Sequence, residues 1–325
     1  YQAMEGFVHN LNTMHSRAGA QTPFSSINYG TDTSPEGRMA IRNILLAEDA
    51  GLGHGETPIF PIHIFKVKEG VNYNEGDPNY DLFKLSMKVS AKRLFPNYVF
   101  LDAPFNLQYY KPGHPETEVA TMGCRTRVMG NVYDPDRQIS YSRGNLSFTS
   151  INLPRLAILA DHDEAAFYKK LDSMLELVAQ QLLDRYEIQA AKRVYNYPFL
   201  MGQGVWLDSD NLGPADEVRE VLKHGTLSIG FIGLAETLTA LYGHHHGESE
   251  EMQKKGLEIV KHMRDFCDKK SQEMKMNFTL LATPAEGLSG RFTRMDRKRF
   301  GSIPGVTDRE YYTNSFHIPV WFQIS

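Results

Sequence analysis

GTLSIGFIGLAETLTALYG, residues 225–243, reads as one strand turning into one helix. Leu227–Phe231 is a short apolar run of the kind a strand buried on both faces requires. A Gly-Phe-Ile-Gly turn at 230–233 follows, and Leu234–Tyr242 then carries apolar residues at helical spacing. Downstream, Ser249–Lys270 is a charged amphipathic helix, Asn277–Ala282 a second strand, and a further helix begins at Thr283. Strands alternating with helices predict an α/β architecture with a largely parallel sheet, because parallel neighbours need a helical crossover. Ligands of such sheets gather at the carboxyl ends of the strands, so the loops after strands are where a site is expected.

The same alternation extends upstream. Residues 2–14 are helical by apolar spacing, the loop HSRAGAQ (15–21) follows, and Pro23–Tyr29 is a short strand. Thr33-Ser34-Pro35-Glu36 has the cap and first-turn proline of a helix start, and the helix runs to about Ala50 before Gly51. Pro58–Lys68 is β-rich, Asp81–Leu94 is helical until Pro96, and Tyr98–Asp102 is a short buried strand. Residues 103–150 carry few helix signals and much Gly, Pro, Thr, Arg and Tyr; a long irregular segment of this kind is usually functional. Residues 161–194 form a long helical region starting near Asp161-His162-Asp163.

Composition narrows the function classes. A length of 325 residues allows one large α/β domain or two ordinary ones. A net charge of −4 gives no drive towards nucleic acid or an anionic membrane. No run of about 18 apolar residues is present to span a bilayer, and the first residues lack the basic-then-apolar order of a secretory signal. Two cysteines, Cys124 and Cys267, make neither a disulfide framework nor a four-cysteine zinc site, and point to a reducing, cytoplasmic setting. Asn145-Leu-Ser and Asn277-Phe-Thr match the glycosylation pattern, which has no force without secretion. The chain starts inside an amphipathic pattern without a cap and ends on an apolar run, Phe316–Ile324, so the natural protein is expected to continue in both directions.

Four places carry chemistry-bearing residues. Cys124 lies in ATMGCRTRV (120–128), a Gly-Cys flanked by Arg125 and Arg127 that presents sulfur better than it fills a core. Cys267, at helical spacing from Met263, reads as a core cysteine. Thr283-Pro284-Ala285-Glu286 has the spacing of a capping box, and a helix start after a strand is also an anion site. Arg143-Gly144-Asn145 reads first as a turn, with Asn145 able to hydrogen-bond a small polar ligand through its amide. Tyr312-Thr313-Asn314-Ser315 is a polar cluster leading into the last strand, either a turn or a site. His244–His246 cannot all face one ion on a helix, and Gly225, Gly230 and Gly233 follow neither phosphate-loop spacing, so no metal or phosphate loop is expected there.

Taken in order, EGFVHNLNTMHSRAGAQTPFSSINYG (5–30), ATMGCRTRV, RGNLSFTSINLPRLA (143–157), IGFIGLAETL (229–238), LLATPAEGLSGRF (280–292) and YYTNSFHIPV (311–320) resemble successive blocks of the anaerobic, class III ribonucleoside-triphosphate reductases, a glycyl-radical enzyme family. The resemblance implies a ten-stranded α/β barrel of two parallel five-stranded halves, of which residues 1–325 are the central part of a single catalytic domain. It implies Cys124 on a loop inside the barrel, oxidised by a glycyl radical to a thiyl radical that takes the ribose 3′-hydrogen. The 2′-hydroxyl then leaves as water, and formate supplies electrons in many members. Asn145 is implied beside the cysteine to hold formate or substrate. Met122 and Gly123 shape the loop, Asn314 and Ser315 face the pocket, and Thr283, Pro284, Ala285 and Glu286 receive substrate phosphates. Nucleoside triphosphate is the implied substrate, with ATP or deoxynucleotide effectors, a homodimer and a radical-SAM activating enzyme as partners. The family's glycyl-radical motif and structural zinc site belong after Ser325 and its regulatory region before Tyr1, so the segment alone is expected to be inactive. The competing expectations are a lyase-type glycyl-radical enzyme, against which the block order argues, and a non-catalytic fragment that would tolerate Cys124→Ser.

Overall fold

A computed structural model of the chain describes residues 1–14, 22–123 and 126–314. They fall into two compact units, Tyr1–Gly130 with Pro135–Tyr141, and Asn131–Asp134 with Ser142 onward.

The first unit is built on a parallel sheet in the order β1-β2-β3, with β1 at Ser26–Tyr29, β2 at Ile62–Val67 and β3 at Asn97–Phe100. Helices α1 (Gln2–Thr13), α2 (Pro35–Ala50) and α3 (Tyr80–Arg93) precede or cross over between these strands. The predicted start of α2 holds: the Ser34 hydroxyl accepts the Gly37 N–H at 3.0 Å, Pro35 takes the first turn, and Gly51 ends the helix at φ 81°. Phe65, fully buried, is ringed by Tyr29, Phe83 and Tyr98 and packs with Ile41, Leu45, Leu82 and Val89. A short helix α4 (Pro104–Leu107) leads to an antiparallel hairpin, β4 (Ala120–Met122) with β5 (Thr126–Val128).

The second unit holds a parallel sheet in the order β6-β7-β8, formed by Asn145–Asn152, Thr226–Ile232 and Asn277–Ala282. Helices α5 (Leu153–Ala160), α6 (Glu164–Ala190) and α7 (Arg219–Leu222) lie between β6 and β7; α8 (Leu234–Tyr242) and α9 (Glu250–Met274) lie between β7 and β8; α10 (Glu286–Phe300) follows β8. The core sets Leu227, Ile229 and Phe278 of the sheet against Leu171, Leu175 and Leu182 of α6 and Ile259, Met263 and Cys267 of α9. Cys267 is thus the core cysteine its spacing suggested, and burial pushes its thiol up to about 12.

Three readings are corrected. The irregular stretch ends at 144 rather than 150, because Asn145 is the first residue of β6 and not the second half of a turn. Helix α5 is an element the sequence pattern does not predict: Asn152 caps it by accepting the Arg155 N–H at 3.3 Å, and Asp161 and His162, both at positive φ, separate it from α6. At Thr283 no capping box forms. The Thr283 hydroxyl instead accepts from Ser150 at 2.8 Å, and α10 starts at Glu286 after Ala285 with no side-chain cap. A partner across the sheet outcompetes the local one because it also satisfies a buried hydroxyl. The run Phe316–Ile324 lies outside the described residues. The described strands form two three-stranded parallel sheets and one hairpin, a mixed α/β fold.

Candidate active site

In the first unit the site residues sit on the β4–β5 hairpin. Met122 pairs with Thr126, the last described pair of the hairpin, and Gly123 follows it. Cys124 and Arg125 lie outside the described residues. What holds the turn is clear on either side of it. The Asn28 amide of β1 donates to Thr121 O at 2.8 Å and accepts from Thr121 N at 3.1 Å. Gly123 N donates to the Ser26 hydroxyl at 3.1 Å. Gly123 adopts φ 57°, and a side chain there would press on the Phe24 ring, so a glycine is required before the cysteine. Arg127 donates to Asn106 at 2.7 Å and stacks on Phe105 at 4.9 Å, which ties it to α4.

In the second unit the site residues gather where the three parallel strands end. The hydroxyls of Ser150 on β6 and Thr283, just past β8, meet over Gly230 of β7, which pairs with Ser150 and Leu281 and whose missing side chain leaves room for them. Helices α5, α8 and α10 all begin at this edge. Pro284 and Ala285 form the turn into α10, and Ala285 adopts φ 28°. Nothing is described of the Glu286 side chain.

Two buried carboxylates, neither singled out from sequence, frame this edge. Glu236, in the first turn of α8, accepts from Arg309 Nη1 at 2.8 Å and from the Thr313 hydroxyl at 2.7 Å; the Thr313 N–H sits between its two oxygens. Asp296 of α10 accepts from Arg155 Nε at 2.6 Å, Asn152 at 2.8 Å and the Tyr312 hydroxyl at 2.9 Å. Burial and the Asp296 charge raise the Tyr312 phenol. Asn314 therefore follows two anchored residues, while Ser315 lies outside the described residues.

Asn145 stands apart from this edge. It heads β6, opposite Thr226, and is exposed. Its strand ends at Asn152, seven residues on, so at the usual strand rise of ~3.3 Å per residue it is on the order of 20 Å from the Thr283–Ala285 turn.

A third cluster lies near Asn145's end of the sheet. One ligand atom each from Asp134, Asp208 and His224 lies within 4.8 Å of the others. The hydrogen bonds fix the chemistry of His224. Asn277 accepts from Val132 N, so its amide N–H₂ must face Asn131 Oδ1; the Asn131 N–H₂ then faces His224 Nδ1, which must accept. The ring proton is therefore on Nε2, donated to Asp208 at 2.8 Å. An ion here would have to displace that bond. Arg143 donates to His224 O at 2.9 Å, and burial lowers its guanidinium to about 10.

The family model described as anaerobic ribonucleoside-triphosphate reductase matches residues 1–325. The chain is 38% identical over 327 aligned residues to the anaerobic ribonucleoside-triphosphate reductase of Escherichia coli (strain K12), covering 98% of this chain and 44% of that protein. It is 33% identical to that of Enterobacteria phage T4, covering 98% of this chain and 51% of that protein. The chain thus spans about half the length of the curated relatives it matches. Among solved structures, the anaerobic ribonucleotide reductase of Thermotoga maritima with citrate in the active site superposes with a TM-score of 0.63 at 16% identity, over 98% of this chain and 55% of that one. The same enzyme in complex with dATP and CTP gives 0.61 at 15%, over 96% and 50%.

Proposed function

We propose, because the chain belongs to the anaerobic ribonucleoside-triphosphate reductase family, that it is the central catalytic part of an enzyme reducing ribonucleoside triphosphates to 2′-deoxyribonucleoside triphosphates. The observation that carries this reading is the family match along the whole chain. In it, Cys124 is the reacting thiol. A glycyl radical of the assembled enzyme supplies the oxidising equivalent. Cys124 gives up its hydrogen atom and its sulfur takes the ribose 3′-hydrogen; the 2′-hydroxyl takes a proton and leaves as water, the two electrons of formate, oxidised to carbon dioxide, allow hydrogen to replace it at C2′, and the thiol returns a hydrogen to C3′, which restores the radical. The hairpin's double tie to Asn28 and its bond to Ser26 support this role, since a radical thiol needs a fixed approach to one C–H bond.

Thr283–Glu286 receives the substrate phosphates in this reading. The absence of a side-chain cap on α10 supports it, because the first N–H groups of a helix are natural anion donors. Asn145 holds formate or substrate beside the thiol, Met122 and Gly123 shape its turn, and Asn314 and Ser315 face the pocket. Two wholly parallel sheets are what a barrel of two parallel halves would contribute, so both units are read as parts of one ten-stranded catalytic barrel. A Thermotoga maritima relative in complex with dATP and CTP supports nucleotide effector and substrate sites. A homodimer, a radical-SAM activating enzyme, a structural zinc site elsewhere in the enzyme and a cytoplasmic setting complete the proposal; no described helix is long and apolar enough to cross a membrane.

The test uses the assembled, activated enzyme. Cys124→Ser should abolish deoxynucleotide formation with an unchanged circular-dichroism spectrum, because a serine O–H is too strong for the radical to cleave. In the unactivated wild type, nucleoside triphosphate and not a 2-keto acid should slow alkylation of Cys124. Product from the serine variant, or protection by the keto acid alone, would refute the reading.

A further inference from the structure

Thr313 is held on three of its own atoms by the start of a single helix. Its N–H and hydroxyl both go to Glu236, and its carbonyl accepts the Gly233 N–H at 2.7 Å. Gly233 is at φ 86°, and a side chain there would overlap Pro154 of α5, so α5, α8 and the 312–313 segment meet at contact distance. Tyr312, fully buried, is held by Asp296 through its hydroxyl and belongs to a buried cluster with Ile232 and Val306, against which Ala285 and Leu288 pack. The segment before Asn314 is thereby referenced to all three strand-to-helix junctions: Asn152 through Asp296, Gly233 and Glu236 after β7, and Ala285 after β8.

Apolar contacts are already present at this segment. Val306, Tyr312 and Ile232 already form a buried cluster there, and a buried carboxylate costs several kcal/mol in desolvation before its partners offset it. Glu236 is wholly buried, with both oxygens occupied by donors from residues 309 and 313. What a carboxylate adds over a leucine is direction: it fixes the rotation and register of the backbone that donates to it. Its place in the first turn of α8 also lets the helix dipole favour the charge.

We propose that Glu236 is a positioning residue for substrate, setting the backbone at Thr313 so that Asn314 presents to nucleotide bound at the Thr283–Glu286 turn. This rests on the phosphate role given to that turn above. The Arg309–Glu236 bond belongs to the same device, since it draws the incoming chain to the same carboxylate.

Equilibrium binding of nucleoside triphosphate to the unactivated, full enzyme tests this without requiring turnover. In Glu236→Gln the charge that draws Arg309 is lost and the amide N–H₂ turns the Thr313 hydroxyl from donor to acceptor, so Kd for the triphosphate should rise about tenfold while the melting temperature falls by only a few degrees. Thr313→Val, which keeps shape and loses the hydroxyl, should weaken binding in the same direction, and Thr313→Ser should restore it. The Glu236→Gln/Thr313→Val double variant should bind no worse than the weaker single one. Unchanged Kd in both single variants, or loss of binding only in proportion to unfolded protein, overturns the positioning role. Wild-type turnover in the activated enzyme is followed in parallel. A wild type that binds triphosphate but makes no deoxynucleotide would sink the reductase reading, and the binding comparison would still decide the role of Glu236.

Discussion

Gly230→Ala tests the hydroxyl pair at the carboxyl edge of the second sheet. A β-carbon at 230 would stand 2.8 Å from the Ser150 hydroxyl and closer still to that of Thr283. Neither neighbour yields easily, because Thr283 is 1% exposed and its hydroxyl is already bonded to Ser150. Overpacking a filled site costs ~1–3 kcal/mol, and losing a buried hydroxyl–hydroxyl bond adds ~0.5–1.5 kcal/mol. The gain from removing a strand glycine offsets ~0.5–1 kcal/mol. The net expectation is a loss of about 2 kcal/mol, a large part of a typical domain's stability. Urea unfolding of the intact protein, followed by circular dichroism, should show a lower midpoint with an unchanged slope. In the Gly230→Ala background, Thr283→Ala should recover part of the loss and Thr283→Val should not, because valine keeps a branch where the hydroxyl stood. A Gly230→Ala variant within about 0.5 kcal/mol of wild type, or equal rescue by valine, would refute the reasoning.

Asp296→Ala leaves Arg155, Asn152 and Tyr312 without their shared acceptor; with Arg155 partly exposed, a loss of about 3 kcal/mol is expected by the same unfolding measurement. Cys267 gives a pH dependence. Its folded pKa, about 12, lies above a thiol's ordinary value of 9.0, so the unfolded chain releases the proton first and stability is full below pH 9. Stability should then fall by about 1.4 kcal/mol per pH unit as pH rises from 9 towards 12; the difference between wild type and Cys267→Ala isolates this slope, and parallel curves would contradict it.

The parts of the fold that were legible are those whose signals are local. Ser34, Pro35 and Gly51 bracket α2 with their own side chains and backbone, and the apolar spacing of Leu234–Tyr242 gives α8 to the residue. The alternation of strand and helix gave the parallel sheets for the same reason. What failed was decided at a distance. Thr283 looks like a cap, but its partner Ser150 is 133 residues away. Strand β6 hid in a polar stretch, NLSFTSIN, because an exposed and half-buried strand shows no apolar run. Glu236 was a single acid in an apolar block; nothing nearby announces that Arg309 and Thr313, 73 and 77 residues later, need it. The cysteine turn was legible as a motif, whereas its anchoring by Asn28 was not, since amide and hairpin are 93 residues apart.

The short strip Asn131–Asp134 has a consequence for how this chain can be divided. It belongs to the second unit although the first unit's residues flank it on both sides. Within the second unit it supplies Val132 N to Asn277 and Asn131 to His224. The chain therefore enters the second unit, returns to the first for Pro135–Tyr141, and enters again at Ser142. Such threading makes the two units poor candidates for exchange by recombination. A splice at 141/142 would give a second half without the peptide that orients its buried amides, and a first half trailing a strip with no place to dock. The units are interlaced in sequence, so neither is a single continuous stretch of chain.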